Sequence, residues 1–108
     1  MTQEEILDYN KRCAEFLNLH RDEEVAIFNM RSYSYDCLKF DLDWNWIMEV
    51  VDAIEKLGYQ FNIYHEDCVI EKDKKFIVIT HATKKKSKKE AVVQAINQFL
   101  KFYNENNS

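Results

Sequence analysis

His65-Glu66-Asp67-Cys68 sets four side chains able to bind a metal or move a proton in consecutive positions. Consecutive residues of an extended chain point to opposite faces, so the four converge only if the backbone turns unusually. No second ligand pair at zinc spacing accompanies them, and His20 and His81 are isolated in the sequence. A turn followed by a buried Cys68 is the simpler reading, and neither a metal nor a cofactor is expected. Cys68 with His65 or His81 can be drawn as a nucleophile and its base. Nothing supplies an oxyanion loop, however, and the turn lacks the glycine that nucleophile elbows use. An enzyme of unknown reaction therefore ranks third among the functional readings, and no catalytic residue is assigned.

Lys84-Lys85-Lys86-Ser87-Lys88-Lys89 is the other chemically pointed stretch. Helix N-termini carry partial positive charge, so lysines there are mildly unfavourable unless something anionic is met. Lys84, Lys85, Lys86, Lys88 and Lys89 are thus candidate phosphate contacts in a nucleic-acid-associated protein, the runner-up function. The run lacks arginine and interleaved aromatics, so it has neither bidentate base readers nor stacking platforms. Weak phosphate contact is its upper limit, and a solvated loop is the plainer account.

The chain has one glycine and no proline in 108 residues. Phosphate-cradling loops need several glycines so that backbone N–H groups can approach the ligand, which argues strongly against P-loop and dinucleotide sites. Tight turns must rest on Asn, Asp, Lys and Ser. Cys13, Cys37 and Cys68 are odd in number and far apart, which fits reduced, buried thiols rather than a disulfide framework. No segment reads as a bilayer span or a secretory signal, so the expected address is the cytoplasm and no membrane partner is expected.

These residues must be positioned by a single domain spanning 1–108, with a frayed polar tail at 104–108. Thr2 with Glu5 forms a capping box for a first helix that runs to about Leu19. Val25–Phe28 and Tyr33–Phe40 read as two short strands or one irregular one. Asp43 caps a second helix and Gly58 ends it. Within that helix Trp44, Ile47, Met48, Val51 and Ile54 form one apolar stripe, and Trp46, Val50, Ala53 and Leu57 form a second beside it. Residues 59–64 alternate like a half-covered strand, 68–71 make a short strand, and 71–75 a polar turn. Phe76-Ile77-Val78-Ile79-Thr80 does not alternate, which predicts a central strand covered on both faces. Ser87 with Glu90 caps a final helix whose buried stripe is Val92, Ala95, Ile96, Phe99, Leu100 and Tyr103. The order α-β(β)-α-β-β-β-α predicts an α+β fold with three helices and an antiparallel sheet, arranged as an α-β-α sandwich.

Charge is uneven along the chain: residues 1–58 hold 13 acids and 6 bases, residues 59–108 hold 6 acids and 9 bases. The apolar surface is uneven too. Two tryptophans two apart on a helix point about 200° from each other, so they cannot both face one sheet. Trp46 is the expected anchor of a protein contact, with Phe102 and Tyr103 secondary.

Trp44-Asn45-Trp46-Ile47-Met48, followed by Val51, Ile54-Glu55-Lys56 and Gly58, resembles a W-[DN]-W-[IL]-M…V…I-E-K signature of small uncharacterised phage and prophage proteins. Lys88, Glu90-Ala91-Val92, Ala95 and the run from Phe99 to Asn106 resemble their C-terminal helix. The resemblance implies a small α-β-α sandwich domain and a phage genomic setting, and it implies no catalytic residues. The resulting expectation is a non-enzymatic phage or prophage accessory protein in a bacterial host. It would act through protein contacts with an unknown partner or with itself as a homodimer.

Overall fold

The computed structural model describes residues 1–19, 25–28, 30–64, 67–81 and 87–107. Helix α1 (Gln3–Phe16) opens with the complete capping box: Glu5 N–H donates to Thr2 Oγ1, and Thr2 N–H donates to Glu5 Oε1, both at 3.1 Å. It closes three residues before Leu19. Leu19 N–H reaches back to Ala14 O (2.8 Å), Asn18 N–H reaches Glu15 O (3.0 Å), and Asn18 takes a left-handed φ of 57°. This is the helix-ending pattern that usually uses glycine, built here on asparagine.

Strands β1 (Val25–Phe28) and β2 (Arg31–Ser34) pair antiparallel as a hairpin, and Tyr35–Cys37 is a single 3-10 turn. The second strand therefore starts and ends earlier than its aromatic residues suggested. Helix α2 (Trp44–Lys56) has Asp43 at its N-cap, accepting from Asn45 N–H at 2.8 Å. Gly58 follows its last turn with φ of 96°, as its sequence position predicts.

Strands β3 (Gln60–Ile63), β4 (Asp67–Lys72) and β5 (Lys75–His81) form a second antiparallel sheet in the order β3-β4-β5. The two-residue turn between β4 and β5 places both Asp73 (φ 53°) and Lys74 (φ 67°) in the left-handed region, the geometry matched to hairpin twist. In a chain with one glycine, Asn18, Asp73 and Lys74 do carry turns, and Met30 (φ 67°) joins them unforeseen.

Helix α3 (Lys88–Asn107) starts with Ser87 Oγ accepting from Glu90 N–H at 3.2 Å. It continues through residues whose polarity suggested a frayed tail, and Asn106 donates to Phe102 O at 2.8 Å. Ala91, Val92 and Val93 are consecutive and all buried. Three successive helical residues span about 200°, so α3 is covered from more than one side. It packs against β4 and β5 and also against α1 and α2. The α+β class, the three helices and the antiparallel pairing are those expected, with the strands divided between two small sheets.

Register and burial agree on which face of the three-stranded sheet meets the helices. Phe61, Ile70 and Val78 lie opposite one another and are buried, as is Cys68. The expectation for residues 76–80 is corrected. Among the described residues β5 is an edge strand, with Phe76 65% and Ile79 47% exposed, and β4 takes the centre. The cysteine expectation holds for Cys13 and Cys68, whereas Cys37 is exposed in the 3-10 turn.

Candidate interaction surfaces

Trp46 is the hub of an aromatic box. Its indole stacks on Phe28 (4.1 Å between centroids, 28° between planes), with Tyr33 and Phe40 edge-on, each at 5.0 Å. Only 7% of it is exposed. The residue expected to anchor a partner instead fastens the β1–β2 hairpin and the segment around Phe40 onto α2. A hairpin of two four-residue strands has no independent stability, so a large aromatic surface is what holds it in place.

The assignment of the two tryptophans is therefore exchanged. Trp46, Ile47, Val50, Val51 and Ile54 form the buried face of α2, while Trp44 and Met48, placed in the buried stripe by spacing, are 37% and 38% exposed. Trp44 and Met48 stand four residues apart and so share one helix face. Leu42, 65% exposed, lies just before the cap. Lys89 ties this surface together: its Nζ donates to Leu42 O at 2.8 Å and sits 5.9 Å from the centroid of the Trp44 ring. A cation over an indole is attracted by the negative ring face, which holds the lysine stem along the apolar surface. The result is an apolar patch of Leu42, Trp44 and Met48 with one ammonium fixed at its rim. Sequence spacing does place Trp44 and Met48 on one face, but it does not show that the hairpin chooses Trp46.

Phe102 and Tyr103 are half-buried and belong to a second aromatic cluster around Phe99. Tyr103 stacks on Phe99 at 5.9 Å and meets Phe16 edge-on at 5.5 Å, and Phe102 lies 6.3 Å from Phe99. Tyr103 also lines a recess of about 440 Å³ between the ends of the three helices, together with Phe16, Ala53 and Leu57. The structure keeps this recess apart from the Trp46 box, so the three expected contact residues do not form one surface.

Of the lysine run, Lys88 is exposed and Lys89 is engaged as described; Lys84, Lys85 and Lys86 lie outside the described residues. His65 and Glu66 also lie outside them, which leaves Asp67 half-buried and Cys68 buried from that quartet.

Asn10 is a residue the sequence reading missed. Its side chain is buried, accepts from Phe40 N–H at 2.9 Å, and donates to Asp41 Oδ1 at 3.3 Å. Beside it Tyr9 donates its hydroxyl to Phe40 O at 2.9 Å. The backbone of Phe40, in a segment without regular structure, is thereby satisfied on both its donor and acceptor sides, as burial demands. The available signal was position: Asn10 sits on the same helix face as Cys13 and Ala14. Burial pushes the Tyr9 phenol and the Cys13 thiol well above their ordinary pKa values, so both stay neutral through the physiological range. Next to them a recess of about 410 Å³ is lined by Ile6, Leu7, Leu38, Leu42, Asp36 and Asp41 among others. The Asp36 carboxyl is held below the usual range by a hydrogen bond from Ser34 and one from its own backbone.

No group of three or more potential metal ligands occurs among the described residues. No helix among them is long and apolar enough to cross a membrane. No protein-family model matches the chain, and neither curated proteins nor solved structures show a significant similarity to it.

Proposed function

We propose that this protein is a non-enzymatic accessory protein of the phage or prophage type, acting in the cytoplasm of a bacterial host by binding another protein. The observation that carries this reading is the Leu42-Trp44-Met48 surface. Tryptophan and methionine are enriched at the centres of protein interfaces, where rigid or adaptable apolar side chains gain contact area at small entropic cost. Here both are exposed on one face of a capped helix, with Lys89 fixed beside the indole. The likeness of residues 44–58 and 88–106 to small phage proteins supports the genomic setting.

The test is affinity capture from lysogenic or infected cells, using the tagged chain and its Trp44→Ser/Met48→Ser variant. A bound protein retained by the first and lost by the second, with the variant's melting midpoint shifted by only a few degrees, is the expected result. Equal capture by both would remove this patch from the function. Capture of nucleic acid in place of protein would favour the lysine-run reading instead.

A further inference from the structure

The recess beside Asn10 adjoins the Leu42-Trp44-Met48 patch. One wall of it is α1, through Ile6, Leu7 and Asn10, and the other is the segment from Asp36 to Leu42. Leu42 belongs to both features: it lines the recess, and it stands exposed just before the helix that carries Trp44 and Met48. A volume of about 410 Å³ is within the range of small-ligand sites, which leaves room for one long side chain. A partner lying on the patch therefore meets a socket at its border.

The lining is of two kinds. Ile6, Leu7, Leu38 and Leu42 are aliphatic, Asp36 and Asp41 are acidic, and no lysine, arginine or histidine lines the recess among the described residues. Asp41 is half-buried, and its Oδ1 accepts from Asn10 Nδ2 at 3.3 Å. Asn10 is in turn fixed by accepting from Phe40 N–H at 2.9 Å. An amide is neutral, so this contact orients the carboxylate without cancelling its charge. That charge is felt behind the wall, where, after burial itself, Asp41 adds to the upward push on the Tyr9 phenol and the Cys13 thiol. Asp36 is exposed at the mouth, and its hydrogen bond from Ser34 favours the ionised form. Lys89 is the cation of the adjoining patch, and its ammonium is engaged by Leu42 O and the Trp44 ring.

Aliphatic walls with a fixed carboxylate suit a cation carried on an apolar stem. A purely apolar side chain would fill the space but cut Asp41 off from water, leaving a charge without a partner. Between the two basic side chains, hydration decides. A guanidinium is more weakly hydrated than an ammonium, and its planar fork of N–H groups can serve two acceptors. Arginine is also enriched at interface centres, beside the tryptophan and methionine that this patch presents. We infer, on the reading of the Leu42-Trp44-Met48 patch as a protein-binding surface, that the recess takes an arginine side chain of the same partner. Its stem lies along Ile6, Leu7 and Leu38, and its guanidinium meets Asp41 and Asp36. Apolar residues flanking that arginine cover Leu42, Trp44 and Met48.

The test titrates the isotope-labelled full chain with Nα-acetyl-arginine amide and follows amide shifts by NMR. One side chain taken out of its interface binds at about the millimolar level, so the titration runs about tenfold beyond that. The controls are the citrulline analogue, which keeps the shape and loses the charge, the lysine analogue, and spermidine. Saturable shifts of the Asn10 side-chain amide and of the Asp41 and Leu42 amides are expected with arginine and not with citrulline. In Asp36→Asn/Asp41→Asn the affinity should fall about fivefold or more, as loss of partly solvated charge-assisted hydrogen bonds implies. Asparagine keeps an acceptor oxygen for Asn10 and for Ser34, so the melting midpoint should move by only a few degrees. If that variant does not fold, the contrast between arginine and citrulline in the unaltered chain decides the matter. Equal shifts with citrulline, shifts centred elsewhere, no shifts, or tighter binding of the lysine analogue would overturn the inference. Tighter binding of spermidine at physiological salt would overturn it in favour of a free polyamine. The same variant also enters the capture experiment. A protein lost by Trp44→Ser/Met48→Ser but fully retained by Asp36→Asn/Asp41→Asn would overturn the arginine socket and leave the reading of the patch standing.

Discussion

The residues that set this fold include one that its chemistry would not have singled out. Asn10 and Tyr9 close the backbone of Phe40 from either side, and removing such a partner leaves a buried group unsatisfied. Burial has a second consequence here, because desolvation disfavours the charged forms of both the Tyr9 phenol and the Cys13 thiol, so both resist ionisation. Their folded pKa values lie above the ordinary 10.0 of tyrosine and 9.0 of cysteine. An acid raised on folding contributes stability that is intact below its unfolded pKa and is lost as pH rises beyond it. The melting midpoint should therefore hold steady from neutrality to about pH 8.5 and fall above about pH 9. The fall should be shallower in Cys13→Ala than in the unaltered chain; an equal fall in both would mean that Cys13 is not the titrating group. A thiol reagent offers an independent check. One cysteine, Cys37, should react in the native protein, with Cys13 and Cys68 following only on denaturation. Two rapidly reacting thiols would contradict the burial of one of them.

At the scale of elements, α2 was recognisable as a helix from its cap, its spacing and its glycine, and each of these features is present. Which of its faces is buried was not legible, because apolar residues nearly encircle it. The hairpin settled the choice by stacking Phe28 on Trp46. Trp46→Ala should accordingly destabilise the protein by about 3–5 kcal/mol, in the range of large-to-small aromatic changes in cores. Trp44→Ala should cost less than about 1.5 kcal/mol, since its side chain is partly solvated in the folded state. Urea denaturation of the two variants gives both figures, and equal losses would return Trp44 to the core. The strand at residues 75–81 shows the complementary ambiguity. A run of apolar residues signals a strand wanting cover, and the sequence does not say whether that cover is a neighbour in the same chain or in another.

For the whole molecule, the order of layers follows from α3. Its burial from more than one side requires both the three-stranded sheet and α1, which reaches it through Phe16 on Phe99 at 6.1 Å and Arg12 to Asn97 at 3.3 Å. A chain lacking residues 1–19 should thus expose a side of α3 and release the Phe40 segment. We expect it to lose cooperative unfolding and to bind an apolar dye such as ANS, a behaviour read directly by calorimetry and fluorescence. A sharp transition in the shortened chain would show that α1 is an accessory to the fold.

Much was determined by the sequence alone, wherever a local rule suffices. Thr2 with Glu5, Asp43, Gly58 and Ser87 act within four residues of themselves, so helix boundaries follow from local hydrogen bonding and backbone geometry. The use of Asn, Asp and Lys in turns follows as directly from the scarcity of glycine. The choice between Trp44 and Trp46, the edge position of β5, the exposure of Cys37 and the burial of Asn10 depend on residues tens of positions away. Each is a competition among several apolar or polar groups for a limited interior, and periodicity records that a side chain can be buried without recording which competitor reaches the core. The surfaces left over from that competition, the Trp44 patch and the recess beside Asp41, exist only once the chain has packed.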